Sequence, residues 1–492
     1  MIDRSTLMNR VGGEWRAAKT AHTVTIQNPA TGEVLTTMPL SGADDVDDAV
    51  QAASAAFQTW RQTPPGERIQ PLFKLKALLD SHVGELARII TQECGKTLTE
   101  SEAELRRGIE NVEVASGIPS LMMGSALEDI ASGIDETMIR QPLGVVGVIT
   151  PFNFPAMIPL WFLPYAVACG NTVVMKPSEK TPMTMNRIAD LVTEAGFPAG
   201  VVNLVNGGRD TVNAIVDHPG IRAISFVGST AVARAVYERA AVNGKRAQCQ
   251  GGARNPVVVL PDADLDMTCR IIADSAFGCA GQRCLASSVA ITVGEAFGKF
   301  SKTISDAAAA RKVGYGLEAG TEMGPVISAQ SRERIEGLIG GSLTGATRAL
   351  VDGRGVKVSG YEAGHFLRPT VIADVASSSD LASTEVFGPV LSVIRASSLD
   401  DAIDIINRSA YGNMACLFTS SGSAARQFRH EVRAGNIGIN LGVAAPMAYF
   451  PFSGWKDSFF GDLHAQGRDA IDFYTEKKVI VERWPSDWSR KF

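Results

Sequence analysis

The sequence predicts an α/β protein in which a doubly wound, largely parallel sheet is joined to a second α/β unit. Its 492 residues exceed what one hydrophobic core normally organises, so two or three domains are expected. From about residue 141, short runs rich in β-branched residues alternate with segments of helical periodicity. Continuous apolar strands that alternate with helices are typical of a parallel sheet covered on both faces.

The region before residue 120 is predicted to be mainly helical, after a short strand at 24–26. Residues 41–44 resemble a capping box, and apolar residues follow them at helical spacing. A helix is therefore predicted to begin there. Further helices are predicted over 66–93, with a stop at Gly95, and from 97 to about 118.

Four apolar runs form the predicted parallel sheet, with helices between them at 183–195 and 230–241; the runs are 145–149, 172–176, 201–205 and 223–227. Such sheets bind ligands at the carboxyl ends of their strands, which predicts a nucleotide-binding domain. The chain has no G-x-G-x-x-G motif, so the candidate phosphate site is the strand–helix junction that contains Gly228 and Ser229. The start of the following helix would offer free N–H groups to a pyrophosphate.

A second α/β stretch is predicted from 257 to about 440. Near the C-terminus, the apolar runs 470–474 and 479–481 are predicted to form an edge strand. Because edge strands need a partner, we expect an oligomer contact there, in a dimer or a tetramer.

Composition excludes several classes of protein. The net charge is −5 with both signs mixed along the chain, so no basic stripe is present to bind nucleic acid. The seven cysteines are scattered without a C-x-x-C pair, which argues against a disulfide framework or a structural metal site and favours a reducing cytoplasm. Residues 1–5 begin no apolar signal region, and the apolar stretch 157–169 is too short to span a bilayer. These features predict a soluble cytoplasmic protein without a membrane partner.

Cys284 is the candidate nucleophile. It follows small, flexible residues that allow close approach of the backbone to a substrate, and it stands beside the fixed positive charge of Arg283. The thiolate is the reactive form of cysteine, and neighbouring cations favour it.

Five motifs lie at 150–155, 176–179, 226–230, 281–284 and 385–389. In these residues and in this order, the chain resembles the NAD(P)-dependent aldehyde dehydrogenase superfamily over essentially its whole length. The resemblance implies an aldehyde dehydrogenase-like fold with a NAD-binding sheet, an α/β catalytic domain and a small β oligomerisation arm. The implied bounds are 1–120 with 143–249 for the NAD-binding domain, 250–446 for the catalytic domain, and 121–142 with 447–492 for the arm and C-terminal segment.

The same resemblance assigns catalytic roles. Cys284 attacks the aldehyde carbonyl to form a thiohemiacetal, which loses a hydride and becomes a thioester on the enzyme. The side-chain amide of Asn153, together with the backbone N–H of Cys284, stabilises the developing oxyanion.

The resemblance also implies a NAD site. Lys176 and Glu179 would bind the adenosine ribose, and the charge of Glu179 would repel a 2′-phosphate, which favours NAD over NADP. The remaining cofactor contacts implied by the motifs are Thr150, Phe152, Gly228, Ser229, Glu385 and Phe387.

One departure from the family pattern points to the final acceptor. Hydrolytic members carry a water-activating glutamate 34 positions before the nucleophile, where this chain has Gln250, or neighbouring Cys249 when the paired glycines are matched. An amide cannot act as that general base. The absence of the base suits thiolysis by coenzyme A, as in the CoA-acylating methylmalonate-semialdehyde dehydrogenase branch of the family.

That branch also matches at 107–113, 153–161 and 461–464, although the stretch 443–450 differs from its proline-rich counterpart. In the branch two arginines bind the substrate carboxylate, which the resemblance carries onto Arg107 and Arg283. The expected reaction is oxidation and decarboxylation of malonate and methylmalonate semialdehydes to acetyl-CoA and propanoyl-CoA. The alternative is a hydrolytic enzyme that acts on another acidic semialdehyde, such as succinate semialdehyde.

Overall fold

The computed structural model describes residues 6–485. Residues 6–121 carry two short hairpins and then six helices, in agreement with the helical prediction for this region. The elements are β1 (Asn9–Val11), β2 (Glu14–Arg16), β3 (Thr23–Gln27), β4 (Val34–Pro39), α1 (Ala43–Trp60), α2 (Pro65–Arg68), α3 (Gln70–Ser81), α4 (Val83–Cys94), α5 (Leu98–Ala115) and α6 (Ile118–Leu121).

The predicted helix ends are mostly confirmed. α4 stops at Gly95, whose φ of 88° lies in the left-handed region, and Thr97 caps α5 with Glu100 as its capping-box partner. The predicted capping box at 41–44 is wrong by one residue. Gly42 is the N-cap of α1, and the Asp45 carboxylate accepts a hydrogen bond from the N–H of Gly42.

An eight-stranded sheet with the order β2-β1-β9-β8-β7-β10-β11-β21 organises the next part of the chain. Its five central strands are parallel, so the predicted doubly wound core is confirmed. The elements from residue 125 onward are β5 (Ser125–Ala131), β6 (Ile134–Pro142), β7 (Val145–Ile149), α7 (Met157–Ala168), β8 (Thr172–Lys176), α8 (Met183–Glu194), β9 (Val202–Leu204), α9 (Arg209–Asp217), β10 (Ile221–Val227), α10 (Thr230–Val242) and β11 (Arg246–Gln250).

A second, seven-stranded sheet has the order β14-β15-β16-β13-β12-β18-β19 and is parallel except at β14. Its elements are β12 (Asn255–Val259), α11 (Leu265–Phe277), a 3₁₀ turn (Gly278–Gly281), β13 (Ser287–Val293), α12 (Ala296–Ala310), α13 (Ala329–Ser342), β14 (Arg348–Val351), β15 (Thr370–Ala373), α14 (Asp380–Ser383), β16 (Val390–Ala396), α15 (Leu399–Arg408), β17 (Tyr411–Gly412), β18 (Met414–Phe418), α16 (Gly422–Glu431) and β19 (Asn436–Ile439).

The C-terminal part adds β20 (Trp455–Lys456), β21 (Phe459–Phe460), α17 (Gly467–Tyr474) and β22 (Thr475–Glu482). The strand predicted at 470–474 is wrong, because this run is helical and buries Ala470, Ile471, Phe473 and Tyr474. The strand predicted at 479–481 is confirmed within β22, which lies at the edge of a three-stranded sheet with β6 and β5. The domain bounds given above stay a prediction, and residues 1–5 and 486–492 lie outside the described part of the chain.

Within residues 6–485 no helix is both long and apolar enough to cross a membrane. The apolar run at 157–169 is instead the twelve-residue helix α7, which is buried on nearly all sides. This explains its composition, since a helix that is hydrophobic all round belongs in the interior of a large protein.

Candidate active site

Three of the predicted cofactor positions meet at one edge of the eight-stranded sheet. β8, β7 and β10 are adjacent and parallel, with Ile149 opposite both Lys176 and Phe226. Their carboxyl ends therefore point the same way, and the residues that follow them lie at a common edge. Thr150 follows β7, Lys176 ends β8, and Gly228 follows β10.

Lys176 and Glu179 form an ion pair at this edge, with 3.1 Å between Lys176 Nζ and Glu179 Oε2. Burial raises the pKa of the Glu179 carboxyl, but the charge and hydrogen bond of Lys176, a backbone hydrogen bond and the charge of Lys180 together outweigh it, so the pKa lies below its ordinary value. The Glu179 side chain is 45% exposed, which leaves an ionised carboxylate in reach of a ligand.

Ser229 is the N-cap of α10, yet its side chain makes no capping hydrogen bond. The first N–H groups of this thirteen-residue helix are thus left without a side-chain acceptor at the sheet edge. An anion placed there would be stabilised by those donors and by the helix dipole.

The candidate nucleophile lies between the 3₁₀ turn and β13. The turn is irregular, since Cys279 and Ala280 have left-handed φ values of 51° and 52°. Two asparagine side chains hold the backbone carbonyl of Cys284: Asn255 donates to it at 2.8 Å and Asn413 at 2.9 Å. Both amides are buried, so the nucleophile is fixed by groups from β12 and from the residue that precedes β18.

Asn153 lies beside this turn, as an oxyanion donor requires. Its Nδ2 donates to the carbonyl of Gln282 at 3.0 Å. Because a side-chain amide carries two N–H donors, one remains for a substrate oxygen. The structure therefore brings together the two residues with predicted catalytic roles.

Cys284 is partly buried, and desolvation of its thiol raises the pKa to about 12, with the negative charge of Glu385 acting in the same direction. Arg283 lowers the pKa, but by less. The predicted activation by the neighbouring cation is therefore outweighed, and the thiol is protonated at neutral pH.

Glu385 lies on the loop before β16 and turns toward the loop 251–254. Its Oε1 accepts a hydrogen bond from the N–H of Ala253 at 2.7 Å, and its other oxygen occupies the space that a Cβ at Gly252 would need. Only glycine at 252 allows the carboxylate to come this close. Burial raises the pKa of Glu385 above its ordinary value.

Phe387 has a left-handed φ of 49°, and its ring meets that of Phe152 edge-on, with 5.8 Å between the ring centres. Arg334 donates to the backbone carbonyls of Glu385 and Val386 and so holds this loop in place. The ring contact therefore joins two predicted cofactor residues, Phe152 after β7 of one sheet and Phe387 before β16 of the other.

The position of the water-activating base is occupied by groups that cannot replace it. Gln250 is buried, and its Nε2 donates to the carbonyl of Phe452 at 2.7 Å. Cys249 is buried in an apolar cluster with Ile149 and Phe226, and burial raises the pKa of its thiol above the ordinary range. Neither side chain supplies a carboxylate near Cys284.

Arg107, on α5, is partly exposed and pairs with Glu110 at 2.7 Å. Its guanidinium also contacts the carbonyl of Pro446 and the sulfur of Met447. The stretch 443–450, which differs from its counterpart in the branch, therefore lies directly against this arginine. These contacts leave further N–H donors of the guanidinium for an anion.

Arg283 has a different environment. Its Nε and Nη2 donate to the carbonyls of Gly278 and Asp274, at 3.2 and 2.8 Å. A cation in this place complements the carboxyl end of α11. In this structure the guanidinium binds the backbone beneath the nucleophile, and no contact joins it to Arg107.

Sequence reasoning did not identify Asn255, Asn413 or Arg334. Each acts on the backbone of a residue distant in the sequence, and no local motif marks such a contact. No group of three or more potential metal ligands occurs among residues 6–485.

With this geometry in place, comparison with known proteins identifies the class. The sequence profile of the aldehyde dehydrogenase family matches residues 15–480. The chain belongs to the aldehyde dehydrogenase family.

Individual relatives are more specific. The chain is 49% identical over 480 residues to malonate-semialdehyde dehydrogenase 2 of Geobacillus kaustophilus, covering 97% of this chain and 99% of that protein. It is also 49% identical to the malonate-semialdehyde dehydrogenase of Halalkalibacterium halodurans, covering 97% and 98%.

Solved structures agree. A Sinorhizobium meliloti protein assigned to methylmalonate-semialdehyde dehydrogenase and solved in complex with NAD superimposes with a TM-score of 0.97 at 41% identity, covering 99% of both chains. The methylmalonate-semialdehyde dehydrogenase of Oceanimonas doudoroffii gives a TM-score of 0.96 at 43% identity, covering 98% of this chain and 99% of that one. The predicted fold is thus confirmed.

Proposed function

We propose that this protein is a NAD-dependent, CoA-acylating dehydrogenase that oxidises and decarboxylates malonate semialdehyde and methylmalonate semialdehyde. The products are acetyl-CoA and propanoyl-CoA. The names of the relatives support the substrate class. The observation that carries the thiolytic step is the buried Gln250, whose amide is bound to the carbonyl of Phe452 where hydrolytic relatives have a glutamate.

The chemistry begins at Cys284. Its thiolate attacks the aldehyde carbon, and the carbonyl oxygen gains negative charge within reach of the remaining Asn153 N–H and the backbone N–H of Cys284. The two asparagines on the Cys284 carbonyl keep the nucleophile at a fixed position while the new bond forms. Since the thiol is protonated at neutral pH and Cys284 is partly exposed, its proton passes to solvent water before the sulfur attacks.

The cofactor residues fit NAD. The open N–H groups of α10 suit a pyrophosphate, and the ionised, half-exposed Glu179 suits free ribose hydroxyls and disfavours a 2′-phosphate. Glu385 and Phe387, on the loop held by Arg334, would hold the nicotinamide end. When bound, NAD accepts the hydride whose loss converts the thiohemiacetal into a thioester.

Decarboxylation follows from the position of the substrate carboxylate. In the malonyl thioester the carbonyl lies β to the carboxylate, so it accepts the electron pair as carbon dioxide leaves. Protonation of the resulting enolate gives acetyl-enzyme, or propanoyl-enzyme from the methylated substrate. The CoA thiolate then displaces Cys284 from the acyl group.

Arg107 is the residue that binds the substrate carboxylate. It is partly exposed, retains unpaired donors and lies against the variable stretch 443–450. Arg283 acts with it through its charge, from its place on the α11 carbonyls.

The quaternary structure and location belong to the same proposal. The three-stranded sheet of β5, β6 and β22 exposes Leu127, Ile130, Val479 and Val481, which supports a homo-oligomer, either a dimer or a homotetramer. All seven cysteines are free, which supports a reducing cytoplasm.

The deciding experiment measures NADH formation from malonate and methylmalonate semialdehydes, each with and without CoA, in ¹⁸O-labelled water. We expect turnover that requires CoA, with acetyl-CoA and propanoyl-CoA identified by mass spectrometry. Rapid CoA-independent formation of ¹⁸O-labelled free acid would contradict the proposal, because another group would then activate water. Succinate semialdehyde serves as the comparison substrate, since it lacks a carboxylate β to the thioester.

A further inference from the structure

A buried ion pair between Lys96, which precedes α5, and Glu104, on α5, has no role in the proposed reaction. Lys96 Nζ and Glu104 Oε2 are 2.5 Å apart, and the two side chains are 2% and 0% exposed. Burial of two charges is expensive, and an apolar pair of similar volume often stabilises a fold equally well. The pair is therefore expected to do more than fill the core.

Both members of the pair hold the residues that follow Asn153. The second carboxylate oxygen of Glu104 accepts hydrogen bonds from the N–H groups of Ala156 at 2.9 Å and Met157 at 3.1 Å. These groups begin α7, where a negative charge is favourable. Lys96 Nζ lies 3.8 Å from the centre of the Phe154 ring. Three contacts, at positions 154, 156 and 157, thus hold the chain within four residues of the oxyanion donor.

The same part of α5 also holds the 3₁₀ turn at 278–281, which precedes Cys284 and is called the nucleophile turn below. Glu100 lies one helical turn before Glu104 and accepts a hydrogen bond from the N–H of Cys279 at 2.6 Å. Residues four apart share one face of a helix. One face of α5 therefore holds both loops that form the reaction centre.

We propose that the buried Lys96–Glu104 pair is a positioning device that sets Asn153 at the correct distance from the nucleophile for oxyanion stabilisation. This rests on the oxyanion role of Asn153 in the proposed function. Lys96 and Glu104 are positioning residues, because they act through residues 154–157 and touch no reacting atom. The hydrogen-bond acceptor on Glu104 is the operative group, and Lys96 neutralises its charge in the interior.

Two double variants separate these roles. Lys96→Met with Glu104→Gln removes both charges and keeps an oxygen acceptor for Ala156 and Met157. Lys96→Met with Glu104→Leu removes the acceptor as well. We expect the second variant to form NADH in the first turnover about 100-fold more slowly than wild type, and the first to stay within about threefold.

Three readouts are compared for each variant: the pre-steady-state NADH burst, the rate of Cys284 alkylation by iodoacetamide, and the melting temperature. If the variants lose only the positioning of Asn153, the burst slows and alkylation is unchanged, because alkylation needs no oxyanion donor. Equal burst rates in the two double variants, or parallel loss of burst and alkylation, would overturn the inference. If the leucine variant does not fold, Glu104→Asp is tested instead. A burst at the wild-type rate in this variant would overturn the inference. A slower burst with unchanged alkylation would support it.

Asn153→Ala separates failure of this inference from failure of the proposed function. It should slow the burst by about 100-fold or more. If it does not, the oxyanion role itself is wrong. If it does while the acceptor-free double variant keeps the wild-type burst, only the positioning role of Lys96 and Glu104 is wrong.

Discussion

The cofactor edge of the eight-stranded sheet and the nucleophile turn beside the seven-stranded sheet are constructed differently. At the cofactor edge, each predicted cofactor residue lies at the end of a strand or shortly after it. The paired Lys176 and Glu179 are only three positions apart in the sequence. At the nucleophile turn, the contacts are long-range. Asn153 reaches Gln282 and Asn413 reaches Cys284, each across 129 positions.

The difference lies in what each region must achieve. A pyrophosphate or ribose is held by several independent contacts, so each can arise from a local strand–turn–helix unit. The reacting atoms must be placed within a fraction of an ångström, which requires packing from several directions. We therefore expect substitutions at the nucleophile turn to have larger effects than substitutions at the cofactor edge.

The largest effect is expected for Cys284→Ala. Without the sulfur no covalent intermediate forms, and kcat should fall by about 10⁴-fold or more. Stopped-flow absorbance of NADH measures this loss. NAD binding, followed by the thermal shift it causes, should stay near wild type, because the cofactor edge is a separate set of contacts. Loss of both together would contradict the division between the two regions.

Arg107→Gln should raise KM for malonate semialdehyde by about 10- to 100-fold, the range expected for one charge-assisted hydrogen-bonded contact. KM for propanal, which carries no carboxylate, should change little. Arg106→Gln is the matched control, since Arg106 is the exposed neighbour on the same helix. Equal effects of Arg107→Gln on both aldehydes would remove Arg107 from the carboxylate site.

Glu385→Gln should make Cys284 more reactive in the cofactor-free enzyme. The negative charge of Glu385 raises the pKa of the thiol, so its removal lowers that pKa and increases the thiolate fraction at every pH below it. Iodoacetamide alkylation at pH 8 should therefore become several-fold faster. The exposed Glu295→Gln is the control, and an unchanged alkylation rate in Glu385→Gln would refute the coupling.

A similarly small effect is expected at the cofactor edge. Glu179→Gln removes an ionised, half-exposed carboxylate, and kcat/KM with NADP should rise relative to NAD by about five- to tenfold. Glu194→Gln, at the far end of α8, should leave the preference unchanged. A change as large as the loss of kcat in Cys284→Ala would contradict the expected order of the two regions.

Some of the chain could be predicted because its information is local. Short apolar runs predict the parallel strands, and the local preferences of Gly95 and Thr97 predict the end of α4 and the start of α5. The run 470–474 was mistaken for a strand, because five apolar-rich residues do not distinguish the two periodicities and packing against the core decided for a helix.

The sequence by itself determined the fold class, the strand ends at which the cofactor residues lie, and the absence of a carboxylate at positions 249 and 250. These depend on residue type and on spacing within one strand–helix unit. Only the tertiary structure decided that Gln250 is bound to Phe452, that Arg283 lies on the α11 carbonyls, and that buried side chains hold the nucleophile turn. Such contacts join residues far apart in the chain, and the direction of a side chain between them is set by the packing of both sheets rather than by its own neighbours in sequence.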